Sequence, residues 1–195
     1  PKILEALTRT NYEQTLGYGE DEYCAQAAEK IRALCGREDA AVHFLVGGTQ
    51  TNMTVIAAAL RPHQGVLCAG SGHINTHETG AVEATGHKVL PLPSQDGKID
   101  AGQVREAVLS HRGDASFEHT VQPKMVYISN PTELGTLYTK AELTALRDTC
   151  RELGLYLFLD GARLGYGLMA KDNDLTIKDI GDCCDVFYIG GNKVG

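Results

Sequence analysis

Positive charge is scarce in this chain: 18 Lys and Arg stand against 25 Asp and Glu, a formal net charge of -7. Nucleic acid and anionic membrane surfaces are gripped by clustered cations, so neither is expected as a partner. Also lacking is any apolar run near the ~20 residues that cross a bilayer as a helix, and any secretory h-region near the start. A cytoplasmic location is therefore the default expectation. The six cysteines, Cys24, Cys35, Cys68, Cys150, Cys183 and Cys184, show no C-x-x-C spacing. In a chain of this length they read as reduced, packed thiols rather than a disulfide framework. A bridge between the adjacent Cys183 and Cys184 would be strained, so no redox role is assigned to them. There is no Walker A loop, no internal repeat, no linker and no low-complexity tract. Pro1 stands where an initiator methionine would, and Gly195 follows two residues after Lys193. Both ends look cut, and the expectation is that part of the protein is missing from residues 1–195.

What is present is enough for one substantial core: 195 residues, 43% hydrophobic. Pro1 with Ile3, Leu4 and Leu7 predicts a short first helix. Glu20, Asp21 and Glu22 open a second, with Cys24, Ala27, Ala28, Ile31 and Leu34 at three- and four-residue spacing and Gly36 ending it. Strands are predicted over 41–46, 66–69, about Val89 and Leu90, and over 124–129, 155–159 and 185–189. Between them fall helices over 53–60, from Asp100, and from a Thr139–Glu142 capping box to Leu153. The polar stretch 111–122 reads as an exposed loop with solvated His111 and His119. Alternating strands and helices at βαβ spacing predict an α/β fold, a three-layer α/β/α arrangement around a mostly parallel sheet.

The most informative run is Leu155, Tyr156, Leu157, Phe158, Leu159, Asp160, Gly161, Ala162, Arg163. An uninterrupted apolar run is a strand buried on both faces, and Asp160 ends it. In parallel sheets ligands gather at that edge, although a carboxylate there also serves as an ordinary helix N-cap. A second apolar strand runs into Gly190, Gly191, Asn192 and Lys193, where an ammonium among glycines can be poorly solvated and become a nucleophile. Asp160, Arg163 and Lys193 in one pocket would be the constellation of a pyridoxal 5'-phosphate (PLP) enzyme. Gly47, Gly48 and Thr49 before a helix form a ready phosphate site, or an ordinary strand-to-helix turn. His73, His77 and Glu78 invite a metal reading, yet Glu78 follows the second histidine and no third ligand is evident, so none is assigned. In a PLP pocket His73 could instead stack on the pyridine ring; otherwise it caps a helix start. Gly165 to Ala170 satisfies G-x-G-x-x-A, a nicotinamide fingerprint, but too far beyond the strand.

Taken in order, Tyr18-Gly19-Glu20-Asp21, Gly47-Gly48-Thr49, His73, Asp160-Gly161-Ala162-Arg163 and Gly190-Gly191-Asn192-Lys193 resemble the L-threonine aldolase and β-eliminating lyase family of fold type I PLP enzymes, in the aspartate aminotransferase superfamily. The resemblance spans essentially the whole chain and implies that 1–195 is the PLP-binding large domain, incomplete and without the family's C-terminal small domain. It implies that Gly47, Gly48 and Thr49 hold the phosphate, that His73 stacks on the ring, and that Asp160 keeps the pyridine nitrogen protonated. It further implies that Arg163 contacts the ring hydroxyl and substrate, and that Lys193 carries the cofactor as a Schiff base. The implied reaction is cleavage of a β-hydroxy-α-amino acid, L-threonine or allo-threonine, to glycine and an aldehyde. The alternatives are β-elimination on another amino acid and a noncatalytic oligomerising domain of the same fold. A homodimer or homotetramer is implied as well. Two features depart from the family pattern: Thr132 and Glu133 occupy a loop where a histidine is common, leaving the general base open, and Asn192 precedes the lysine where serine or threonine is usual.

Overall fold

The computed structural model describes residues 2–194, and the chain divides into two compact units with the boundary between Phe44 and Leu45. The first unit holds helices α1 (Lys2–Thr10) and α2 (Glu22–Cys35). Helix α2 forms where its end signals place it. The Asp21 side chain caps it by accepting the Cys24 N–H at 2.9 Å, and Gly36 closes it in the left-handed region at φ 63°. Pro1, proposed as the start of α1, lies outside the described residues. Ile3, Leu4 and Leu7 do share one side of α1, and each remains more than 60% exposed.

The second unit is built on five strands, β1 (Gln64–Ala69), β2 (Val89–Leu92), β3 (Gln122–Ser129), β4 (Tyr156–Asp160) and β5 (Val186–Phe187), in the order β2-β1-β3-β4-β5. Every pairing is parallel. The helices are α3 (Gly48–Ala59), α4 (His73–Thr76), α5 (Ala101–Gly113), α6 (Lys140–Leu153), α7 (Leu164–Leu168) and α8 (Ile177–Cys183). Because strand side chains alternate, the sheet feeds two cores. Val66, Cys68, Met125, Tyr127 and Phe158 face α3 and α4. Leu67, Ala69, Val126, Ile128, Leu157 and Leu159 face the layer of α5 to α8. The result is the expected three-layer α/β/α fold. The chain passes from β1 to β2 on one side and then to β3 on the other, so the strand order reverses beside β1. The crevice at the carboxyl ends of β1 and β3 is thus the default ligand position.

Three local expectations fail. Residues 41–46 form no strand; Phe44, Leu45 and Val46 stay 44–91% exposed. An apolar run signals a wish for burial, whereas a strand also needs a ladder partner, and β1 is already paired on both sides. Helix α3 starts at Gly48, five residues before the predicted 53, so the glycine pair is its N-terminus rather than a loop before it. Finally, α5 extends to Gly113 and takes His111 with it; that ring packs edge-on against Phe117 at 6.0 Å instead of lying solvated.

Candidate active site

Asp160 is the last residue of β4, in register with Ser129, the last of β3. Alternation along β4 turns Asp160 to the side of Phe158, and alternation along β3 turns Ser129 to the side of Tyr127, so both face the α3 layer. Asp160 is only 4% exposed. Its Oδ1 accepts the Tyr188 hydroxyl at 2.6 Å and the Ala162 N–H at 2.9 Å. Its Oδ2 accepts the Tyr127 hydroxyl at 2.5 Å and Asn52 Nδ2 at 3.2 Å. Four hydrogen-bond donors thus fix the orientation of this buried carboxylate. Burial first, and then the Asp160 charge, push the Tyr127 and Tyr188 phenols well above the ordinary tyrosine range, which keeps both as donors. The N-cap reading of Asp160 does not hold: α7 starts at Leu164 behind Arg163, and Asp160 caps only the tight turn to Ala162.

Asn52 carries the network onward. Its Nδ2 also donates to Glu78 Oε1 at 2.7 Å, the same oxygen that meets His73 Nδ1 at 2.8 Å. Glu78 is wholly enclosed as a side chain, whereas His73 keeps 28% of its surface. The carboxylate therefore fixes the imidazole at its Nδ1 edge while the ring stays partly exposed. His77, stacked on His73 at 5.7 Å, gives its Nδ1 to Thr76. Among the described residues no cluster of three His, Cys, Asp or Glu side chains is arranged for a metal.

The remaining candidates lie around this cluster. Gly47 caps α3, and a Cβ on Gly48 would sit 2.9 Å from the Tyr188 hydroxyl. The first-turn amides of α3 have no intrahelical acceptor and point with the positive end of its dipole. Thr49 is exposed beside them. The end of β4 is laced to the segment after β5: Gly190 N–H donates to the Gly161 carbonyl at 2.9 Å. A Cβ on Gly161 would meet the Tyr188 carbonyl at 1.9 Å, and one on Gly190 the Ala162 carbonyl at 2.6 Å. Lys193 follows three residues later with its side chain exposed, its carbonyl taking the Tyr166 hydroxyl at 2.7 Å. Arg163 is half-buried. Neither cation is among the four donors on Asp160, so the structure assembles Asp160 and His73 into one network and leaves Arg163, Lys193 and the α3 start outside its hydrogen bonds.

Sequence reasoning missed Asn52, Tyr127 and Tyr188 and used Glu78 only against a metal motif. The one available signal was a polar tip inside an apolar strand, at Tyr127 and Tyr188. The G-x-G-x-x-A match has a packing explanation: a Cβ on Gly165 would meet Val194 at 2.6 Å and one on Gly167 would meet Pro131 at 2.8 Å. These glycines permit close approach of neighbouring segments, not of a dinucleotide.

A wholly parallel sheet with a strand-order reversal and helices on both faces is a doubly wound α/β fold, and solved structures place it in the fold type I class. Thermus thermophilus aspartate aminotransferase shares it, with a TM-score of 0.60 at 22% identity over 81% of this chain and 43% of that one. Within that class the assignment is specific: the β-eliminating lyase family model matches residues 1–195, and the chain belongs to that family. A structure described as Leishmania major threonine aldolase superposes with a TM-score of 0.95 at 52% identity, covering 100% of this chain and 56% of that one. The low specificity L-threonine aldolase of Pseudomonas sp. (strain NCIMB 10558) is 34% identical over 200 residues, 100% of this chain and 56% of its own length. The chain thus spans little more than half the length of these relatives.

Proposed function

We propose that the protein containing this chain is a PLP-dependent lyase that cleaves a β-hydroxy-α-amino acid, L-threonine or allo-threonine, to glycine and an aldehyde. The observation that carries the reading is the buried Asp160 carboxylate with its own set of donors, linked through Asn52 and Glu78 to the His73 ring. The residues present suit the cofactor. Asp160 offers an oriented carboxylate to a pyridinium N–H, and the partly exposed His73 ring offers a surface for the cofactor ring. The free amides at the start of α3, with Gly47, Gly48 and Thr49, offer donors to a phosphate. Two buried acceptors of the cluster, Asn52 Oδ1 and Glu78 Oε2, have no partner among the described residues, as suits a site that receives donors. Lys193 is the amine proposed to bind the cofactor covalently, and Arg163 the cation proposed to meet the ring hydroxyl and substrate. Bound there, PLP supplies an electron sink conjugated to the substrate Cα. Asp160 holds the ring-nitrogen proton against the charge that develops, an interaction stronger in the transition state than in the ground state.

Relatives named as threonine aldolases support retro-aldol cleavage, while the family model's description keeps β-elimination as the second reading. We also infer a homodimer or homotetramer, supported by the exposed apolar residues of α1, and a cytoplasmic location, supported by six free thiols. No described helix is long and apolar enough to cross a membrane. The test is direct. Full-length protein is expected to absorb in the visible, to bleach with borohydride with the label on Lys193, and to release glycine from threonine. Lys193→Ala removes the label. Asp160→Ala retains cofactor but slows turnover by about 10²–10³-fold. A label on another lysine, or turnover of a β-substituted alanine without threonine cleavage, overturns the reading.

A further inference from the structure

Retro-aldol cleavage needs a base for the β-hydroxyl proton, and the site offers several candidate groups that the geometry separates. Asp160 is enclosed and already accepts four hydrogen bonds. Glu78 is fully buried behind His73, whose Nδ1 it engages. In the loop from β3 to α6, Thr132 is 1% exposed. Its hydroxyl is spent on Thr136, at 2.6 Å from that Oγ1 and 3.2 Å from that N–H, so it packs the loop rather than meeting a ligand. Tyr138, the loop's other titratable side chain besides Glu133, is buried and bonded to Ile99.

Glu133 is different. The loop is anchored at the site, because Asn130 N–H donates to the Asp160 carbonyl at 3.0 Å. From there Glu133 reaches back, and its Oε1 accepts the Ser129 hydroxyl at 2.7 Å. Ser129 is the register partner of Asp160 and faces the same side of the sheet. That places a half-exposed carboxylate at the mouth of the Asp160 cluster. It has one oxygen fixed, and no cation pairs with it among the described residues. Its nearness is felt electrostatically too: the Glu133 charge helps to raise both Tyr127 and Tyr188.

We propose that Glu133 is the catalytic base on the substrate side, oriented by Ser129 and taking the β-hydroxyl proton as the Cα–Cβ bond breaks. The proposal rests on the PLP-dependent cleavage above. The proton passes from the β-oxygen to Glu133 Oε2, and the O–H electron pair becomes the second C–O bond of the aldehyde. The Cα–Cβ pair stays on Cα, a proton returned to Cα completes glycine, and no oxidant or reductant enters.

The experiment uses full-length holoenzyme and two reactions. Exchange of the glycine Cα proton in deuterated water, followed by NMR, needs the cofactor and Lys193 but no β-oxygen chemistry. Threonine cleavage needs both. For Glu133→Gln the expected result is a drop in kcat for threonine of about 10²-fold or more with glycine exchange within about threefold and an unchanged visible band. Ser129→Ala, which leaves the carboxylate present but unheld, is expected to lower the same kcat by about three- to tenfold. Threonine cleavage within about threefold of wild type in Glu133→Gln, or an equal loss of both reactions, overturns the role of Glu133 while leaving the cofactor reading standing. Absence of both glycine exchange and the visible band in the wild type overturns the two together.

Discussion

Replacing Tyr127 with Phe removes one oxygen and little else. The ring stays packed edge-on against Phe158 at 5.6 Å, so the burial term is nearly unchanged. What disappears is an O–H donor 2.5 Å from Asp160 Oδ2. Tyr127 is 1% exposed, so water cannot replace the hydroxyl. A hydrogen bond to a charged acceptor contributes about 1.5–3 kcal/mol, and Tyr127→Phe is expected to cost that much. Tyr188→Phe removes the equivalent donor from a half-buried position where solvent can substitute, and is expected to cost about 1 kcal/mol. Urea unfolding of the full protein at pH 7, with m unchanged, measures both. The pH dependence gives an independent sign. The folded-state pKa of Tyr127 is raised, so its contribution is complete below the unfolded value of 10.0 and is lost as pH rises beyond it. The gap between wild type and Tyr127→Phe therefore narrows above pH 10. A cost below about 0.5 kcal/mol for Tyr127→Phe, or a gap that widens with alkali, refutes the account of a buried anion held by this phenol.

Gly161→Ala is expected to destabilise the second unit by about 3 kcal/mol or more, read by the same unfolding assay, because its Cβ would lie 1.9 Å from a backbone carbonyl that cannot swing aside. Gly165→Ala meets only a Val194 methyl and is expected to cost about 1 kcal/mol. Cys68 and Cys150, both pushed up to about 12 by burial, are expected to stay unalkylated in native protein at pH 8. They should react once the chain is unfolded; mass spectrometry after iodoacetamide decides, and rapid native labelling of either contradicts their burial.

How much of this was legible in the residues depended on whether the signal was local. Helix α2, with Asp21 and Gly36 at its ends, and α6, with its Thr139–Glu142 box, follow from short-range capping and appear where expected. The strand ending at Asp160 and the parallel architecture follow from run length and alternation. Residues 41–46 fail because pairing is a property of the partner, not of the run. The same limit hid most of the Asp160 cluster. Asn52 and Asp160 are 108 positions apart, and Tyr127 is 33 away. No spacing rule reaches that far, and an asparagine inside a helix or a tyrosine in an apolar strand has an ordinary reading when seen alone. A resemblance to a family names motif positions, and the groups that hold those positions in place fall between the motifs.

The arrangement is costly as protein architecture, and the cost points to use. Asp160 and Glu78 are two buried carboxylates that share the Nδ2 group of Asn52. The same cluster leaves Asn52 Oδ1 and Glu78 Oε2 without partners. A buried acceptor without a donor costs about 1–3 kcal/mol. Apolar residues of similar volume would stabilise the α3 face of the sheet better, as buried ionic groups are often replaced without loss. The cores on both faces are otherwise made of aliphatic and aromatic side chains with a methionine and a few thiols. Of the buried polar residues, Ser129, Asn130 and Asp160 sit at the carboxyl ends of β3 and β4 with Asn52 and Glu78 bonded into the same cluster, whereas Gln64 and His87 lie at the opposite end of β1. Stability gives no reason to concentrate these acceptors at that one edge, whereas the carboxyl edge of a parallel sheet beside a strand-order reversal is where such sheets bind ligands.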